Sequence, residues 1–533
     1  MRRQDGVSYQ RALKFLYRRT NYETFKSIPY SQMANSLARL REFLKFLGNP
    51  ERRFVSICVA GTKGKGTTCA AIERIYESAG VRVGLFTSPH LDELTERFRI
   101  DGRECDKLFF AETLFDLVER WKQFSAQKTD SDFGGLDFNS EPPLDSDEHP
   151  LTFFEWTFLL AVALFARADV DVAVFEVGLG GRFDATNALD ADLSVLTSVS
   201  YDHCELLGNS LLEIANEKLG IVKTSAPLVC GVGLAKRWLK RVEREEDRGS
   251  DPVVQEEVPE KVGRSRLKTE FRKKGAAELE DALRREKSAL WNLDPQTIVS
   301  EEELDEVLAL ARERARANGA PFYDVSELSP FVESLPEPPF DPIRKWNFEI
   351  ALNVVSVLSE TRREGARALP VSEEAIRKAA ERLDVPARLE IVSRNPTVIV
   401  DGAHNRASVA AVMNVLRERY RDKKLRVLFA STIGKDQRGM IAEIAPLADE
   451  VVLTQRSKDS RAAPISDLIQ IAEEVLDETC AEDSSIRRKF HVAPDFRAFL
   501  ADRLTRPSTD SDVWVALGSF YFAAEVRQEL RSR

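Results

Sequence analysis

The chain has 533 residues, of which 43% are hydrophobic and 31% are charged, and its formal net charge is −10. This balance excludes a disordered protein, and the length is sufficient for two or three folded domains. The negative charge argues against nucleic acid as the main partner, because an acidic surface repels phosphate backbones. The negative net charge is compatible with a local phosphate site, because such a site needs only a few hydrogen-bond donors.

The cysteines are scattered and include no CxxC pair, which is typical of reduced thiols rather than of disulfides or a zinc site. No apolar run follows the arginines of the first ten residues, so we predict no signal peptide. The most apolar segment, residues 153–168, contains Glu155 and Arg167 and is predicted to be a buried helix rather than a membrane span. We therefore expect a cytoplasmic protein without a membrane partner.

The first part of the chain predicts a βαβ unit. Leucines at helical spacing over residues 37–47 indicate a helix that ends at Gly48. A buried strand, a glycine-rich turn, a helix and a second strand follow at residues 54–60, 61–67, 65–79 and 81–86. Such a unit implies a parallel sheet.

The alternation of strands and helices continues and then starts again near the C-terminal end. The first series predicts helices at 152–168 and 211–218, and strands at 171–176, 193–199 and 228–232. The second series predicts strands at 397–401, 425–431, 450–454 and 512–517, and helices at 408–420 and 465–476. The predicted fold class is α/β, with two α/β units of different size.

Two polar stretches interrupt this pattern. Residues 126–149 and about 233–300 are rich in charge and poor in apolar periodicity, and we interpret both as surface insertions. The junction between the two units is expected near Pro386, which interrupts a helix. The predicted domains are residues 1–385 and 386–533.

A glycine-rich turn at residues 61–67 is the first candidate for chemistry. Its sequence GTKGKGT joins a buried strand to a helix, so backbone N–H groups and a lysine can bind phosphate there. It is a variant of the standard phosphate loop, because Val59 takes the place of the first glycine and Gly66 separates Lys65 from Thr67. An ordinary strand-to-helix connection is the alternative.

Three further segments begin where predicted strands end. They contain Ser88, Glu176 and His203, and in a parallel sheet the carboxyl ends of the strands form the ligand-binding edge. Hydroxyl, carboxylate and imidazole groups can bind a cation, and a nucleotide site needs Mg²⁺. The alternatives are a surface carboxylate for Glu176 and a hydrogen-bonded core histidine for His203.

Several motifs occur in one order along the chain. They are GTKGKGT, TSPHL with ERFRIDG, TFFEWT, EVGLGGRFDATN, DH, EKLGIVK, ARL, DGAHN, GKD and GSFY. Together they resemble the folylpolyglutamate synthase/dihydrofolate synthase family of the Mur ligase superfamily. The resemblance implies a Mur-ligase-type ATP-binding domain with a phosphate loop and a parallel-rich sheet, followed by a smaller Rossmann-like α/β domain.

The resemblance also implies roles for individual residues. The expected nucleotide contacts are Gly61, Thr62, Gly64, Lys65, Gly66, Thr67, Asn347, Arg388 and Asp401. Ser88 and Glu176 would bind one Mg²⁺ and His203 would help to bind a second, supported by a carbamylated Lys218. The expected substrate contacts are Phe154 and Arg182 for the pterin-bearing substrate and His404 for glutamate. Taken alone, Phe154 would be assigned to core packing and Lys218 to a helix surface.

The implied reaction is an ATP-dependent amide ligation. ATP would activate a carboxylate of dihydropteroate or a folate as an acyl phosphate, and L-glutamate would attack it, with Lys65, Lys218 and His203 as catalytic residues. We expect a monomer that uses ATP and two Mg²⁺ ions and does not bind nucleic acid. The alternatives are a Mur-type ligase acting on a cell-wall precursor and a nucleotide-binding protein without ligase chemistry. The sequence does not choose between dihydropteroate and tetrahydrofolates.

Overall fold

The computed structural model describes residues 2–19, 30–127, 151–236, 299–336, 340–360, 369–456, 461–479, 489–505 and 512–531. The two predicted insertions, 126–149 and 233–300, lie almost entirely outside the described residues. None of the helices in the described ranges is long and apolar enough to cross a membrane.

Within the described ranges, the larger of two sheets has eight strands. They are β1 (Val55–Ala60), β2 (Val83–Phe86), β3 (Phe98–Ile100), β4 (Arg103–Glu104), β5 (Val172–Glu176), β6 (Leu193–Leu196), β7 (Leu228–Cys230) and β8 (Phe322–Asp324). Their order is β4-β3-β2-β5-β1-β6-β7-β8. The β2–β3 and β3–β4 pairs are antiparallel and the other pairs are parallel.

The smaller sheet has six strands in the described residues. They are β9 (Glu390–Arg394), β10 (Thr397–Val400), β11 (Lys424–Phe429), β12 (Glu450–Thr454), β13 (Phe490–Ala493) and β14 (Asp512–Leu517). The order is β13-β12-β11-β14-β10-β9, and only β9 runs antiparallel to its neighbour. The α/β fold class predicted for both units is confirmed. We refer to the two sheets with their helices as the larger and the smaller lobe.

Helices cover both faces of each sheet. Those of the larger lobe are α1 (Arg2–Tyr17), α2 (Tyr30–Phe46), α3 (Lys65–Ser78), α4 (Lys107–Ser125), α5 (Phe153–Arg167), α6 (Cys204–Leu207), α7 (Leu211–Lys218), α8 (Glu301–Ala317), α9 (Pro330–Glu333), α10 (Pro342–Glu360) and α11 (Glu373–Glu381). Those of the smaller lobe are α12 (Arg406–Arg419), α13 (Gln437–Ile444), α14 (Ile465–Thr479), α15 (Phe496–Thr505) and α16 (Phe520–Arg531).

The central strands are mostly apolar because they are buried on both faces. Phe86 and Phe175 pack into a core with α1, α2, α4 and α5, whereas Leu85 and Val174 face the opposite core with α3, α10 and α11. The segment that was predicted as a buried helix, α5, lies in the first of these cores. A capping box between Thr152 and Glu155 starts it.

Strand β6 is shorter than the predicted strand 193–199. It ends at Leu196: the Thr197 N–H still donates to the Ala60 carbonyl of β1 at 2.9 Å, but Thr197 and Ser198 also bind the glycine-rich turn. The Ser198 carbonyl accepts from the Thr62 N–H at 2.8 Å, and the Thr197 hydroxyl donates to the Lys63 carbonyl at 2.6 Å. The prediction was wrong at this end because the chain at Thr197 and Ser198 hydrogen-bonds to the glycine-rich turn and does not continue the β6 ladder beyond the Thr197 N–H.

Candidate active site at the carboxyl edge of the larger sheet

Four adjacent parallel strands place the candidate residues at one edge. Strands β2, β5, β1 and β6 are neighbours, so the segments that follow them lie side by side. These segments begin after Phe86, Glu176, Ala60 and Leu196. The crevice at the carboxyl ends of such strands is the usual ligand site of an α/β sheet.

The glycine-rich turn has the shape of a phosphate-binding loop. Gly64 has φ 84 and caps the N-terminus of α3, a left-handed conformation that favours glycine. A Cβ atom on Gly64 would lie 2.2 Å from Asn347 Oδ1, which itself accepts from the Thr68 hydroxyl at 3.2 Å. The first turn of α3 offers unpaired backbone N–H groups and the positive end of the helix dipole to an anion.

Two lysine amines converge on this loop. Lys65 Nζ donates to the Gly61 carbonyl at 3.0 Å, and Lys218 Nζ donates to the same oxygen at 3.2 Å. Burial and the neighbouring cations Lys65 and Lys63 lower the pKa of Lys218 to about 7. Lys218 is buried, not exposed on a helix surface, so its amine is available in the neutral form near neutral pH.

Glu176 lies at the end of β5 beside the loop. It is 5% exposed and its Oε2 accepts from the Ser88 N–H at 3.0 Å. Burial raises the pKa of Glu176, against the opposing charges of Lys65 and Arg388. A buried carboxylate with adjacent phosphate and hydroxyl oxygens fits Mg²⁺, which usually takes one or two carboxylates and completes its shell with phosphate and water.

His203 lies on another side of the cleft. Its neighbour is Asp202, at 3.8 Å from Nε2 to Oδ1, and its side chain is 43% exposed. Desolvation by the cleft walls and the cation Lys435 lower the pKa of His203 to about 4, so the imidazole is neutral at physiological pH. Among the described residues, no three His, Cys, Asp or Glu side chains cluster as a metal site.

Asp202 joins the two lobes. Its carboxylate accepts from Lys63 Nζ at 3.0 Å and from Lys435 Nζ of the smaller lobe at 3.4 Å. Burial alone would raise the pKa of Asp202, but the two lysines outweigh it and hold that pKa well below its usual range. The same lysines, together with burial, keep the pKa of His404 well below its ordinary value.

The smaller lobe brings Arg388 and Asp401 to the cleft. Asp401 accepts from the Leu389 and Ala403 N–H groups, each at 2.8 Å, and these bonds fix the end of β10. The Arg388 guanidinium lies 5.4 Å from the centre of the Phe520 ring. Burial raises the pKa of Asp401, as it does that of Glu176, and the Arg388 charge opposes the rise at both carboxylates.

The glycine-rich run after β5 forms the wall next to the loop. Phe154 is partly buried and packs against Phe86, with ring centres 5.8 Å apart, and its ring tip lies against Gly178. Arg182 Nε is 3.5 Å from Glu217 Oε1 on α7. Asp184 accepts from the Gly178 N–H at 3.0 Å and holds the run in place.

The structure brings several of the predicted residues together, since Lys65 and Lys218 share the Gly61 carbonyl and Glu176 accepts from the Ser88 N–H. Lys65, Lys218 and Glu176 surround the loop, and Arg388 and His404 approach from the smaller lobe. Sequence reasoning gave no role to Asp202, Lys63, Lys435 or Asp184. Asp202 and Lys435 do occur in quoted motifs, DH and GKD, but their pairing over 233 residues leaves no local signal.

Comparison with known proteins identifies the family. Residues 387–520 match the family described as Mur ligase, glutamate ligase domain. The dihydrofolate synthase/folylpolyglutamate synthase of Mycobacterium tuberculosis is 30% identical over 435 residues, covering 80% of this chain and 75% of that protein. The protein of the same name from Bacillus subtilis is 25% identical over 496 residues, covering 93% of this chain and 95% of that one.

A solved structure shares the fold. The crystal structure of the bifunctional folylpolyglutamate synthase/dihydrofolate synthase of Yersinia pestis, complexed with AMPPNP and Mn ion, superposes with a TM-score of 0.64. Its sequence identity is 23%, and the superposition covers 98% of each chain. Sequence and fold agree, and the chain belongs to the dihydrofolate synthase/folylpolyglutamate synthase family.

Proposed function

We propose that the chain is an ATP-dependent ligase that joins the amino group of L-glutamate to a carboxylate of dihydropteroate or of a folate. The family assignment supports this reaction. The single observation that carries it is the cleft itself, in which a phosphate loop, the buried carboxylate of Glu176 and a second lobe meet through Asp202 and Lys435. A simple nucleotide switch would not require that second lobe.

The loop would bind ATP through its N–H groups and lysine. Gly61, Thr62, Gly64, Gly66 and Thr67 would surround the phosphates, and Lys65 would supply positive charge to them. Nucleotide contacts from Asn347, Arg388 and Asp401 complete the site.

A carboxylate oxygen of the substrate attacks the terminal phosphorus of ATP, and ADP leaves. The glutamate amine then attacks the acyl phosphate, and inorganic phosphate leaves as the amide forms. The catalytic contribution of the protein is positioning and neutralisation of charge on the phosphoryl group.

Glu176, the Ser88 hydroxyl and His203 are the residues that would hold divalent cations. A bound Mg²⁺ neutralises phosphate oxygens and orients the phosphoryl group. Because Glu176 and His203 lie on different sides of the loop, we propose two ions rather than one, one on each side. The neutral imidazole of His203 keeps its lone pair available as a ligand at physiological pH.

We assign Lys218 as the site of carbamylation. Its neutral amine would attack carbon dioxide and release one proton, leaving an anionic carbamate. Lys218 stands beside the cations Lys65 and Lys63, so the modification replaces repulsion by attraction. A pKa of about 7 leaves much of the amine neutral, as the reaction requires. The carbamate oxygens would support the second ion.

The substrates would occupy opposite sides of the cleft. Phe154 and Arg182 border the wall where a pterin ring and its attached chain would lie. His404 and Lys435 belong to the smaller lobe and face the incoming glutamate. Residues 1–385 would therefore bind ATP and the pterin substrate, and residues 386–533 would contribute glutamate and close the site against water. Such a site is complete within a monomer.

Mass spectrometry of the products tests the function. The purified chain is incubated with ATP, Mg²⁺ and L-glutamate, and with dihydropteroate, a tetrahydrofolate or a muramyl cell-wall precursor in turn. We expect a mass increase of one glutamyl residue on one or both pterin substrates. Reaction with the muramyl compound alone would establish the cell-wall ligase instead, and ATP binding without any amide product would establish a non-catalytic nucleotide-binding protein.

A further inference from the structure

One buried arginine connects the two lobes behind the reaction site. Arg527 of α16 is 7% exposed, and its Nε donates to both carboxylate oxygens of Glu390 at 3.0 Å. Its Nη1 donates to Asp92 Oδ2, also at 3.0 Å. Asp92 belongs to the larger lobe and Glu390 to the smaller one. A charge buried to this extent requires such partners, so the connection is energetically coupled to the fold.

At the larger-lobe end of this connection, Asp92 lies in the same loop as Ser88. Glu96 accepts from the N–H groups of Leu91 at 2.7 Å and of Asp92 at 2.9 Å, which makes this loop rigid. Leu91 packs against the apolar core of the smaller lobe. At the other end of the same loop, the Ser88 N–H donates to Glu176. Asp92 and Ser88 thus lie four residues apart in one loop that is hydrogen-bonded at both ends.

The Glu390 end holds the segment that carries Arg388. Glu390 Oε2 accepts from the Ala387 N–H at 2.8 Å. Ala387 and Leu389 have φ values of 51° and 46°, in the left-handed region that non-glycine residues rarely adopt. Such strain persists only where surrounding bonds determine it, and the bonds to Glu390 and Asp401 do so here. Arg388 lies between the two strained residues.

We propose that Arg527 is a positioning residue for the ligase reaction, holding the Ser88 loop and the Arg388 segment in register across the lobes. This inference rests on the proposed function. Arg527 does not touch the substrates. It acts by fixing the distance between Ser88 of the larger lobe, which is assigned to the metal, and Arg388 of the smaller lobe, which is assigned to the nucleotide. Phosphoryl transfer depends on that distance.

Asp92→Asn separates positioning from stabilisation of the smaller lobe. It removes the charge on the larger-lobe arm and leaves the Arg527–Glu390 pair intact. Arg531→Gln is the matched control, because Arg531 also donates to Glu390, at 3.1 Å, but is 56% exposed. The charge of Arg531 also acts on Asp92, but in the described part of the chain Arg531 makes no hydrogen bond to that carboxylate.

Steady-state kinetics of the full chain test the proposal. We expect Asp92→Asn and Arg527→Gln to lower kcat/KM for ATP about tenfold, the range of a coupling between sites. Arg531→Gln should change it less than about twofold, since exposed ion pairs contribute little. Arg527→Lys should recover part of the loss, because it restores the charge.

A double-mutant cycle tests whether Asp92 and Arg527 act through the ion pair that they share, with kcat/KM expressed per folded chain so that lost stability does not enter the comparison. If Asp92 and Arg527 act together, the Asp92→Asn/Arg527→Gln variant is no slower than Arg527→Gln. Losses in kcat/KM that simply multiply, or a wild-type rate in Asp92→Asn, would overturn the inference. Either result is distinguishable from failure of the proposed function, in which the unmodified chain forms no amide product.

Discussion

Gly181→Ala is expected to disturb catalysis through the backbone. A Cβ atom at Gly181 would lie 2.6 Å from the carbonyl oxygen of Lys218 and 2.9 Å from that of Glu217. Both oxygens belong to the end of α7, where the backbone cannot rotate away as a side chain can. The loop after β5 and α7 must therefore separate.

The size of the effect follows from these distances. A carbon approaches a carbonyl oxygen to about 3.3 Å without strain, so the chain must yield by about 0.7 Å. Overpacking of this kind costs about 1–3 kcal/mol in the free energy of unfolding. The same shift moves Lys218 relative to the phosphate loop, and a displacement approaching 1 Å in a reacting site can lower kcat by about 10²-fold.

Gly178→Ala is the comparator, because it adds the same methyl group to the same loop. Its Cβ would meet Cζ at the tip of the Phe154 ring at 2.7 Å, and a partly buried side chain can shift through its χ1 torsion more readily than a helix carbonyl can move. We expect Gly178→Ala to raise KM for the pterin substrate, with a smaller change in kcat. Both variants are measured by chemical denaturation and by steady-state assays. Equal effects of the two substitutions, or full kcat in Gly181→Ala, would refute the reasoning.

Three further outcomes are expected. Lys65→Ala should abolish product formation with an unchanged circular dichroism spectrum, because it removes a phosphate-binding charge rather than a core contact; normal turnover would contradict the assignment. Lys218→Ala should be inactive and should regain activity with added formate or acetate. In the native chain, ¹³C-bicarbonate should give a carbamate signal by NMR. Absence of both effects would exclude carbamylation. Burial raises the pKa of Glu73 to about 7 despite its ion pair with Arg99. The folded state therefore binds the Glu73 proton more tightly than the unfolded state does. Protonated Glu73 makes its full contribution to the free energy of unfolding below the unfolded pKa, and this contribution is lost as pH rises through about 7. Relative to the native chain, Glu73→Gln should gain about 3 kcal/mol in unfolding free energy between pH 4.5 and 8, and a pH-independent difference would contradict the assigned burial.

Local patterns were sufficient to predict the elements that form the glycine-rich turn and its neighbours. Backbone geometry explains the apolar run of β1, the glycines after it and the helical spacing of apolar residues in α3. The strand ends at Glu176 and Phe86 follow from burial of β5 and β2 on both faces of the sheet. The antiparallel pair β3–β4 was missed, although its turn, Asp101-Gly102, has φ values of 52° and 74° and is a common hairpin sequence.

Other features depend on contacts that no local pattern encodes. The end of β6 is set by Thr197 and Ser198 binding the phosphate loop, more than 130 residues earlier in the chain. The low pKa of Lys218 arises from burial and from Lys65 and Lys63, which only the folded chain brings near. The Asp92–Arg527 pair spans 435 positions and follows from the packing of the two lobes.

The most direct test of the shared cleft is an isotope transfer. The pterin substrate is prepared with ¹⁸O in its reacting carboxylate and converted with ATP and L-glutamate, and the inorganic phosphate is analysed by mass spectrometry. If the phosphate loop activates that carboxylate, one ¹⁸O atom per turnover appears in the phosphate. Phosphate without ¹⁸O, formed together with the amide product, would contradict the acyl-phosphate route and the role given to the cleft.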